Sequence, residues 1–252
     1  MHKILLKLGR VEEVDGKKRV ISKEERFTIS DTSKDFHAAF CIVPQAFLET
    51  GGKTSIKGQE FVCFPANKAD VFNNLKKGAQ SITLKDAAFV LGQLGVSSKS
   101  VMLDAGSGSG ASACFFSQFV KEVVSYDVSE ENISVAKKNA ARFQSENIIF
   151  KEGSVYTDVS EEQFDAIFLD VPEPQQALSM ITQKLKIGNL ACIYSPNLTQ
   201  LKEVIAQLPE ALHHEKTVEV NERPWSLKNQ TCKPIAPDIA HTAFLCFLRR
   251  IL

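Results

Sequence analysis

A run of glycines and small polar residues lies between an apolar segment typical of a strand and one typical of a helix. It reads Asp104-Ala105-Gly106-Ser107-Gly108-Ser109-Gly110-Ala111. Glycine lets a backbone approach a ligand closely, where a Cβ atom would clash. In open α/β sheets, ligands bind beyond the carboxyl ends of the strands, which is where a strand-to-helix loop must lie. The run therefore predicts a ligand-binding loop rather than a merely tight turn.

The loop alone is compatible with two kinds of cofactor. Gly106, Gly108 and Ala111 also match the dinucleotide fingerprint Gly-x-Gly-x-x-(Gly/Ala). Asp127 ends the next strand about 20 residues on, a position suited to binding the ribose hydroxyls of either cofactor. Capping a helix that begins near Ser129 is the alternative role of Asp127. We favour the ribose role, because the fold requires an acidic side chain at this position.

A second acidic residue distinguishes the two kinds of cofactor. The segment Phe168-Leu169-Asp170-Val171-Pro172-Glu173-Pro174 puts a carboxylate at the end of an apolar strand. The two prolines fix φ and keep this segment out of a helix, so that Asp170 is expected to project into the crevice beside the glycine loop. A dehydrogenase has no evident use for this segment, whereas a methyltransferase acting on an exocyclic or ring nitrogen does. Capping the following helix is the alternative role of Asp170.

The elements that must position these residues alternate between strands and helices. Apolar runs predict strands at 100–103, 123–126, 148–150, 164–169 and 190–194. Helical spacing predicts helices at 85–93, 112–120, 130–142, 175–184 and 199–208. Strands separated by helices predict a mostly parallel sheet covered on both faces, in a domain spanning residues 71–252. Residues 1–70 read as short strands and turns, which predicts a small N-terminal β module.

Two late strands follow without a helix between them. They are predicted at 217–220 and 242–248, and we expect them to form an antiparallel hairpin at one edge of the sheet. The single tryptophan, Trp225, lies in the loop between them. Stacking on RNA is one role for it, but we expect it to pack against the domain.

Composition excludes several classes of protein. The 252 residues carry a formal net charge of zero, which gives no support to tight electrostatic binding of nucleic acid by a whole monomer. The six cysteines form no Cys-x-x-Cys pair, and we expect them to be reduced core residues of a cytosolic protein. The amino terminus shows no signal peptide, and no apolar run is long enough to span a membrane.

Several segments together resemble a known family. They are Gln80, Lys85-Asp86-Ala87, the glycine loop, Ser125-Tyr126-Asp127, Leu169-Asp170-Val171-Pro172-Glu173-Pro174 and His241-Thr242-Ala243-Phe244-Leu245. The chain resembles the tRNA (adenine-N1)-methyltransferases of archaeal and bacterial type, which form 1-methyladenosine in the T-loop of tRNA. The resemblance implies a class I S-adenosylmethionine methyltransferase fold, Rossmann-like, with a seven-stranded sheet. It also implies a cytoplasmic homotetramer, with the N-terminal module contacting RNA or serving assembly.

The same resemblance assigns roles to individual residues. Asp170 is the expected catalytic residue, accepting a hydrogen bond from the exocyclic amine of the target adenine. The residues expected to bind S-adenosylmethionine are Gln80, Ile82, Gly106, Gly108, Ser109, Gly110, Ala111, Ser112, Asp127, Ser154 and Val155. The chain departs from the family pattern at Ser154, where an acidic residue is usual, and at Leu84 and Ala236, where proline and arginine are usual.

Three other functions stay open at this point. A non-catalytic, RNA-binding paralogue of the same fold is suggested by the departures from the family pattern. A methyltransferase for a protein, of the isoaspartate repair type, shares the first motifs but not the segment around Asp170. A dehydrogenase is the third alternative.

Overall fold

The computed structural model describes residues 2–15, 17–76, 81–228, 231–235 and 241–252. The chain divides into two compact units, Met1–Asn74 and Leu75–Leu252.

The first unit is built around a four-stranded antiparallel sheet. Its elements are β1 (Lys3–Lys7), β2 (Arg10–Val14), β3 (Lys17–Ser22), β4 (Glu25–Ile29), β5 (Phe36–His37), β6 (Ile42–Val43), α1 (Gln45–Thr50), β7 (Gly52–Ile56), β8 (Gln59–Pro65) and α2 (Lys68–Asn73). The sheet has the order β4-β1-β8-β7, and β2 pairs with β3 in a separate hairpin. Its core contains Leu5, Val43, Leu48 and Phe61, all fully buried. The unit thus has a hydrophobic core of its own.

The second unit contains the remaining helices and strands. They are α3 (Leu84–Leu94), β9 (Val101–Ala105), α4 (Ala111–Phe116), β10 (Glu122–Asp127), α5 (Glu130–Phe143), β11 (Ile148–Glu152), β12 (Ala166–Leu169), α6 (Leu178–Lys184), β13 (Leu190–Ser195), α7 (Leu198–Ala206), β14 (Leu212–Glu219), β15 (Trp225–Lys228), β16 (Thr231–Pro234) and β17 (Phe244–Arg250). A 3₁₀ turn, Pro174–Ala177, precedes α6.

The predicted parallel sheet is confirmed. Seven strands have the order β11-β10-β9-β12-β13-β17-β14, and the first five of these are parallel to one another. The four residues of β12 are all buried, as are five of the six residues of β13, because helices cover both faces of a parallel sheet. The strand order reverses beside β9, so that β9, β10 and β12 have adjacent carboxyl ends. This reversal is the point at which open α/β sheets bind ligands.

The two late strands form an antiparallel pair at one edge of the sheet, as predicted, but a long connection joins them in place of a hairpin turn. β17 lies between β13 and β14 and is antiparallel to both. The residues between β14 and β17 include a separate two-stranded sheet, β15 with β16. Trp225 begins β15 and is 54% exposed, so the prediction that it packs against the domain is wrong. Its neighbour Arg223 lies over the indole ring, 5.6 Å from the ring centroid.

Local signals set the ends of most helices. Thr83 caps α3, Gly95 ends it in the left-handed conformation, and Ser129 caps α5. α4 ends at Phe116, four residues earlier than predicted, and the chain turns through Ser117 before β10. Pro174 replaces the first turn of the predicted 175–184 helix with a 3₁₀ turn. Within the described ranges, no helix combines the length and apolarity that crossing a membrane requires.

Candidate active site

A cavity of about 690 Å³ opens at the adjacent carboxyl ends of β9, β10 and β12. This volume suits a small-molecule ligand. Its lining comes from six parts of the second unit: residues before α3, the glycine loop with the start of α4, the end of β10, the start of α5, the loop after β11 and the turn after β12. The lining residues are Lys76, Ser81, Ile82, Gly106–Ser109, Ala111, Ser112, Tyr126–Val128, Glu131, Asn132, Val135, Gly153–Tyr156 and Asp170–Glu173.

The glycine loop has a backbone conformation that residues with side chains rarely adopt. Gly106, Gly108 and Gly110 all have positive φ, at 83°, 49° and 74°. A Cβ atom on Gly106 would lie 2.0 Å from the carbonyl oxygen of Asp170, and one on Gly110 would lie 2.8 Å from the Cβ of Ala136. Gly106 therefore allows the turn after β12 to approach β9, and Gly110 allows α5 to pack against the loop.

A buried carboxyl lies beneath this loop. Asp104 is fully buried, and its Oδ2 accepts a 2.5 Å hydrogen bond from Ser125 Oγ, which in turn lies 2.6 Å from Ser107 Oγ. Its Oδ1 has no hydrogen-bond partner among the described residues. Burial raises the pKa of Asp104 to about 6, and repulsion from Asp127 adds to this increase. Hydrogen bonds from Ser125 and Ser112 lower the pKa and offset part of the increase. Burial thus disfavours the charged form of this carboxyl group.

Asp127 holds the glycine loop and the start of α5 together. Its Oδ2 accepts a 2.7 Å hydrogen bond from the Gly108 backbone N–H, and its Oδ1 accepts one of 2.9 Å from the Ser129 N–H. The Asn132 side-chain amide donates to both oxygens, at 3.1 and 3.2 Å. Ser129, and not Asp127, caps α5, because the Ser129 hydroxyl accepts a hydrogen bond from the Asn132 backbone N–H. Asp127 lines the cavity, at the carboxyl end of β10.

Asp170 follows β12, on the other side of β9 from Asp127, and lies directly beside Gly106 of the glycine loop. Its backbone N–H donates a 2.8 Å hydrogen bond to the carbonyl of Ala105, which continues the pairing of β12 with β9. The described part of the chain supplies no hydrogen-bond donor to its half-buried carboxyl group. Burial raises the pKa of Asp170 to about 7, and repulsion from Asp104 adds to the increase. Its carboxyl oxygens are thus free to accept a hydrogen bond from a ligand.

A glutamine on α7 holds the turn that follows Asp170. The Gln200 amide on α7 donates a 2.9 Å hydrogen bond to the carbonyl of Pro172, and its Oε1 accepts a 2.6 Å bond from Ser195 Oγ. The turn is thereby fixed from the side of α7.

The structure brings most of the predicted site residues to one cavity. Those that line it are Ile82, Gly106, Gly108, Ser109, Ala111, Ser112, Asp127, Ser154, Val155 and Asp170. Gly110 lies instead against Ala136 of α5. Gln80 and Ala236 lie outside the described residues. Leu84 begins α3.

Several cavity residues were not predicted from the sequence. Glu131, Asn132 and Val135 line the cavity from the first turns of α5. Their spacing, together with the position of α5 directly after Asp127, was a usable signal, because a helix that follows a strand begins at the ligand-binding edge of the sheet. Tyr156 also lines the cavity, and Gln200 lies outside it and holds the turn after β12. Neither residue carried such a signal.

The Lys-Asp-Ala and His-Thr-x-Phe-Leu segments meet away from the cavity. Asp86 is fully buried and accepts 2.7 Å hydrogen bonds from the hydroxyls of Thr83 and Thr242 and from Lys85 Nζ. Lys85 Nζ also donates to the carbonyl of Val220. A buried charge needs such partners, and this network fixes the start of α3 against the segment that leads into β17.

The charges of the cavity favour a cationic ligand. Among its described lining residues are four carboxylates, Asp127, Glu131, Asp170 and Glu173, and one ammonium group, Lys76. This arrangement disfavours the pyrophosphate of a dinucleotide and suits a sulfonium compound. The glycine loop, the acidic side chain at the end of β10 and the apolar Ile82 and Val155 fit the parts of S-adenosylmethionine. The described residues contain no group of three side chains that could hold a metal ion.

Known proteins share both the sequence pattern and the fold. The tRNA (adenine(58)-N(1))-methyltransferase TrmI of Thermus thermophilus is 30% identical over 225 residues, which cover 85% of this chain and 88% of that protein. A crystal structure of a SAM-dependent O-methyltransferase from Thermotoga maritima superimposes with a TM-score of 0.84 at 23% identity, covering 99% of this chain and 93% of that one. That of the tRNA (m1A58) methyltransferase TrmI from Aquifex aeolicus gives 0.78 at 22% identity, covering 99% and 97%.

The family model described as "tRNA methyltransferase complex GCD14 subunit" matches residues 71–244. This match contains the glycine loop, Asp127, Asp170 and the turn after β12. The chain belongs to this family of tRNA methyltransferases.

Proposed function

We propose that this protein transfers a methyl group from S-adenosylmethionine to N1 of an adenine in the T-loop of tRNA. The observation that carries the proposal is the Asp170 carboxyl, which lies beside the glycine loop with no donor from the described chain. A non-catalytic paralogue has no need of such a group. An unpaired, half-buried carboxyl costs stability, and a ligand that donates to it offsets that cost.

The cavity would hold the donor along its glycine-rich wall. The Gly106–Ser112 loop would accommodate the methionine part, and Ile82, Ser154 and Val155 the adenine ring. Asp127 would bind the ribose hydroxyls. Its two oxygens already accept four hydrogen bonds from the chain, so the hydroxyls would take over the positions that the Asn132 amide occupies.

Asp170 would then act on the target base. The donor supplies an electrophilic methyl group on a positively charged sulphur. Attack by the adenine N1 forms the N–CH₃ bond and breaks the C–S bond, so that one positive charge moves from the sulphur to the base. A fixed carboxylate that accepts from the exocyclic amine orients N1 and stabilises this developing charge. The base must be turned out of the tRNA loop to reach the cavity.

The direct test is a methylation assay. The protein is incubated with methyl-labelled S-adenosylmethionine and unmodified tRNA, and the tRNA is digested to nucleosides. We expect the label in 1-methyladenosine. A tRNA in which guanine replaces the T-loop adenine should accept no label. Label in a protein carboxyl group, or in another nucleoside, contradicts the proposal.

The pH dependence of activity should report the ionisation of Asp170. Protonation of Asp170 removes the negative charge that stabilises the methylated base, and the pKa of Asp170 is raised to about 7, so activity should fall as the pH is lowered. The positive charge of the bound donor lowers this pKa. We therefore expect kcat/KM for tRNA, at saturating donor, to fall between about pH 8 and about pH 5, with its midpoint below 7.

The neighbouring acid provides the control for this profile. Asp104 repels the Asp170 carboxylate, so Asp104→Asn should move the midpoint to lower pH. A flat profile, or a midpoint that Asp104→Asn leaves in place, contradicts the assignment of the titration to Asp170.

Gln200 should position the catalytic turn without touching the donor. Its amide fixes the Pro172 carbonyl two residues after Asp170. We expect Gln200→Ala to lower kcat about tenfold, because a small displacement of a reacting group is costly, and to leave donor affinity unchanged. The matched control is Gln183→Ala on α6, an exposed glutamine that bonds only Ser179 among the described side chains. Equal kcat for both variants, or weakened donor binding in Gln200→Ala, counts against this role.

We further propose that the enzyme is a cytoplasmic homotetramer, as its resemblance to the bacterial and archaeal enzymes implies. Its net charge of zero is consistent with tRNA spanning basic surfaces of more than one subunit. The N-terminal unit would serve RNA contact or assembly. Sedimentation of the protein with and without tRNA tests the assembly, and a monomer in both states contradicts it.

A further inference from the structure

A buried asparagine joins two parts of the donor cavity. Asn139 lies on α5 and is 1% exposed. Its amide nitrogen donates to the carbonyls of Lys76 and Ser109, at 2.8 and 2.9 Å, and its Oδ1 accepts a 3.1 Å hydrogen bond from the Lys76 backbone N–H. An asparagine side chain has the donors and acceptor to match a peptide group on one side and a further carbonyl on the other.

The partners of Asn139 both belong to the cavity wall. Ser109 is part of the glycine loop, and Lys76 lies in the segment before α3, which also contributes Ser81 and Ile82 to the lining. Ser81 Oγ lies 3.1 Å from Ser109 Oγ. Lys76 and Ser81 are thus each tied to Ser109, Lys76 through Asn139 and Ser81 directly.

The position of Asn139 on α5 follows from the packing of the loop. Ala136 lies one turn earlier on the same helix face and contacts Gly110 so closely that a Cβ there would lie 2.8 Å away. This close approach brings the next turn of α5 within hydrogen-bond distance of the Ser109 carbonyl. Asn139 itself does not line the cavity, so it acts on a ligand only through the backbone that it holds.

We propose that Asn139 is a positioning residue for the methyl donor: it fixes Lys76 against Ser109 of the glycine loop, so that both parts of the cavity wall are in place when the donor binds. The inference rests on the proposed function, because it takes the donor as the ligand of this cavity. It predicts that loss of the Asn139 amide weakens donor binding and leaves the rate of methyl transfer at saturating donor unchanged.

Two variants distinguish the hydrogen bonds of the Asn139 amide from the space that its side chain fills. Asn139→Ala removes all three hydrogen bonds. Asn139→Asp keeps the shape and the acceptor for the Lys76 N–H, but places a second oxygen against the carbonyls of Lys76 and Ser109. We expect both variants to bind S-adenosylhomocysteine, the demethylated donor, about tenfold or more weakly by calorimetry. The KM for S-adenosylmethionine should rise by the same factor, with kcat within about twofold of wild type.

The matched control is a second asparagine whose side-chain amide also binds backbone carbonyls, but away from the cavity. The Asn147 amide donates to the carbonyls of Ser117, Val120 and Lys121, none of which lines the cavity. Asn147→Ala should lower the Tm as Asn139→Ala does, without changing donor affinity. Equal donor affinity in Asn139→Asp and wild type, or equal losses in Asn139→Ala and Asn147→Ala, overturns the inference. If the wild-type protein does not bind S-adenosylhomocysteine, the proposed donor is wrong, and this inference fails with it.

A measurement on the wild-type protein needs no variant to fold. Linkage between two equilibria is reciprocal. If the Asn139 hydrogen bonds strengthen donor binding, then bound donor must also stabilise those hydrogen bonds. We therefore expect S-adenosylhomocysteine to slow hydrogen exchange of the Lys76 amide, which donates to Asn139 Oδ1, by at least about tenfold. The Val123 amide, which donates to the Asn147 carbonyl away from the cavity, provides the internal reference. Exchange at Lys76 that is unaffected by a saturating concentration of the ligand overturns the proposal.

Discussion

Replacing Asp170 by alanine or asparagine is expected to lower kcat for tRNA methylation by at least about a hundredfold, with donor affinity nearly unchanged. Removing a fixed group that stabilises developing charge in a protected site typically costs about two to three orders of magnitude. The Asp170→Asn variant keeps an oxygen in a side chain of the same shape but lacks the negative charge, so the two variants should be similarly inactive if charge is what matters.

A carboxylate at the other end of the same strand provides the control. Asp165 precedes β12 at its amino end, where it accepts a 2.8 Å hydrogen bond from the Val101 N–H and pairs with Lys186. Asp165→Asn should lower the Tm and leave kcat unchanged. Calorimetry with S-adenosylhomocysteine and single-turnover assays with tRNA separate binding from chemistry. Methylation by Asp170→Ala at the wild-type rate contradicts the proposed mechanism.

Gly106→Ala is expected to remove both donor binding and activity. A Cβ at this position would lie 2.0 Å from the Asp170 carbonyl oxygen and 2.9 Å from its carbonyl carbon, both of which are backbone atoms. The clash cannot be relieved by rotating a side chain, so the ends of β9 and β12 must separate. We expect kcat/KM to fall by at least about a hundredfold, because the loop and Asp170 are displaced together.

Gly95→Ala isolates the effect of backbone conformation from that of the clash. Gly95 ends α3 with a positive φ of 63°, and nothing lies within 4 Å of an added Cβ. This variant should be destabilised by about 1 kcal/mol and remain active. Thermal unfolding and calorimetry on both variants check the comparison. If Gly106→Ala binds the donor as well as Gly95→Ala does, the close approach of the two strands has no role in the site.

The parallel sheet and most of the site could be predicted because local patterns determine them. The apolar runs that became β9 to β13 are separated by helices, and this alternation leaves few topologies. Asp127 and Asp170 were found because each follows a buried strand, and all such strands end at one edge of the sheet. The glycine loop was found because three positive φ angles need glycine.

The remaining features depend on contacts between distant parts of the chain. No local pattern places β17 between β13 and β14, since pairing of late strands is decided by the whole sheet. In the sequence, Asn139 and Gln200 look like ordinary polar residues of a helix. In the structure, they donate hydrogen bonds to backbone carbonyls that lie 63 and 28 residues away along the chain. Trp225 was expected to pack against the domain, but it lies on a separate two-stranded sheet and is exposed.

The hydrogen bond between the Asp170 N–H and the Ala105 carbonyl also bears on how the enzyme acquires activity during refolding. It joins strands that are far apart along the chain, and parallel pairing of this kind forms late because a long loop must first close. The glycine loop and Asp170 therefore reach their native positions together, when β9 pairs with β12. Recovery of turnover after dilution from denaturant should coincide with consolidation of the central sheet, rather than with the earlier appearance of helices.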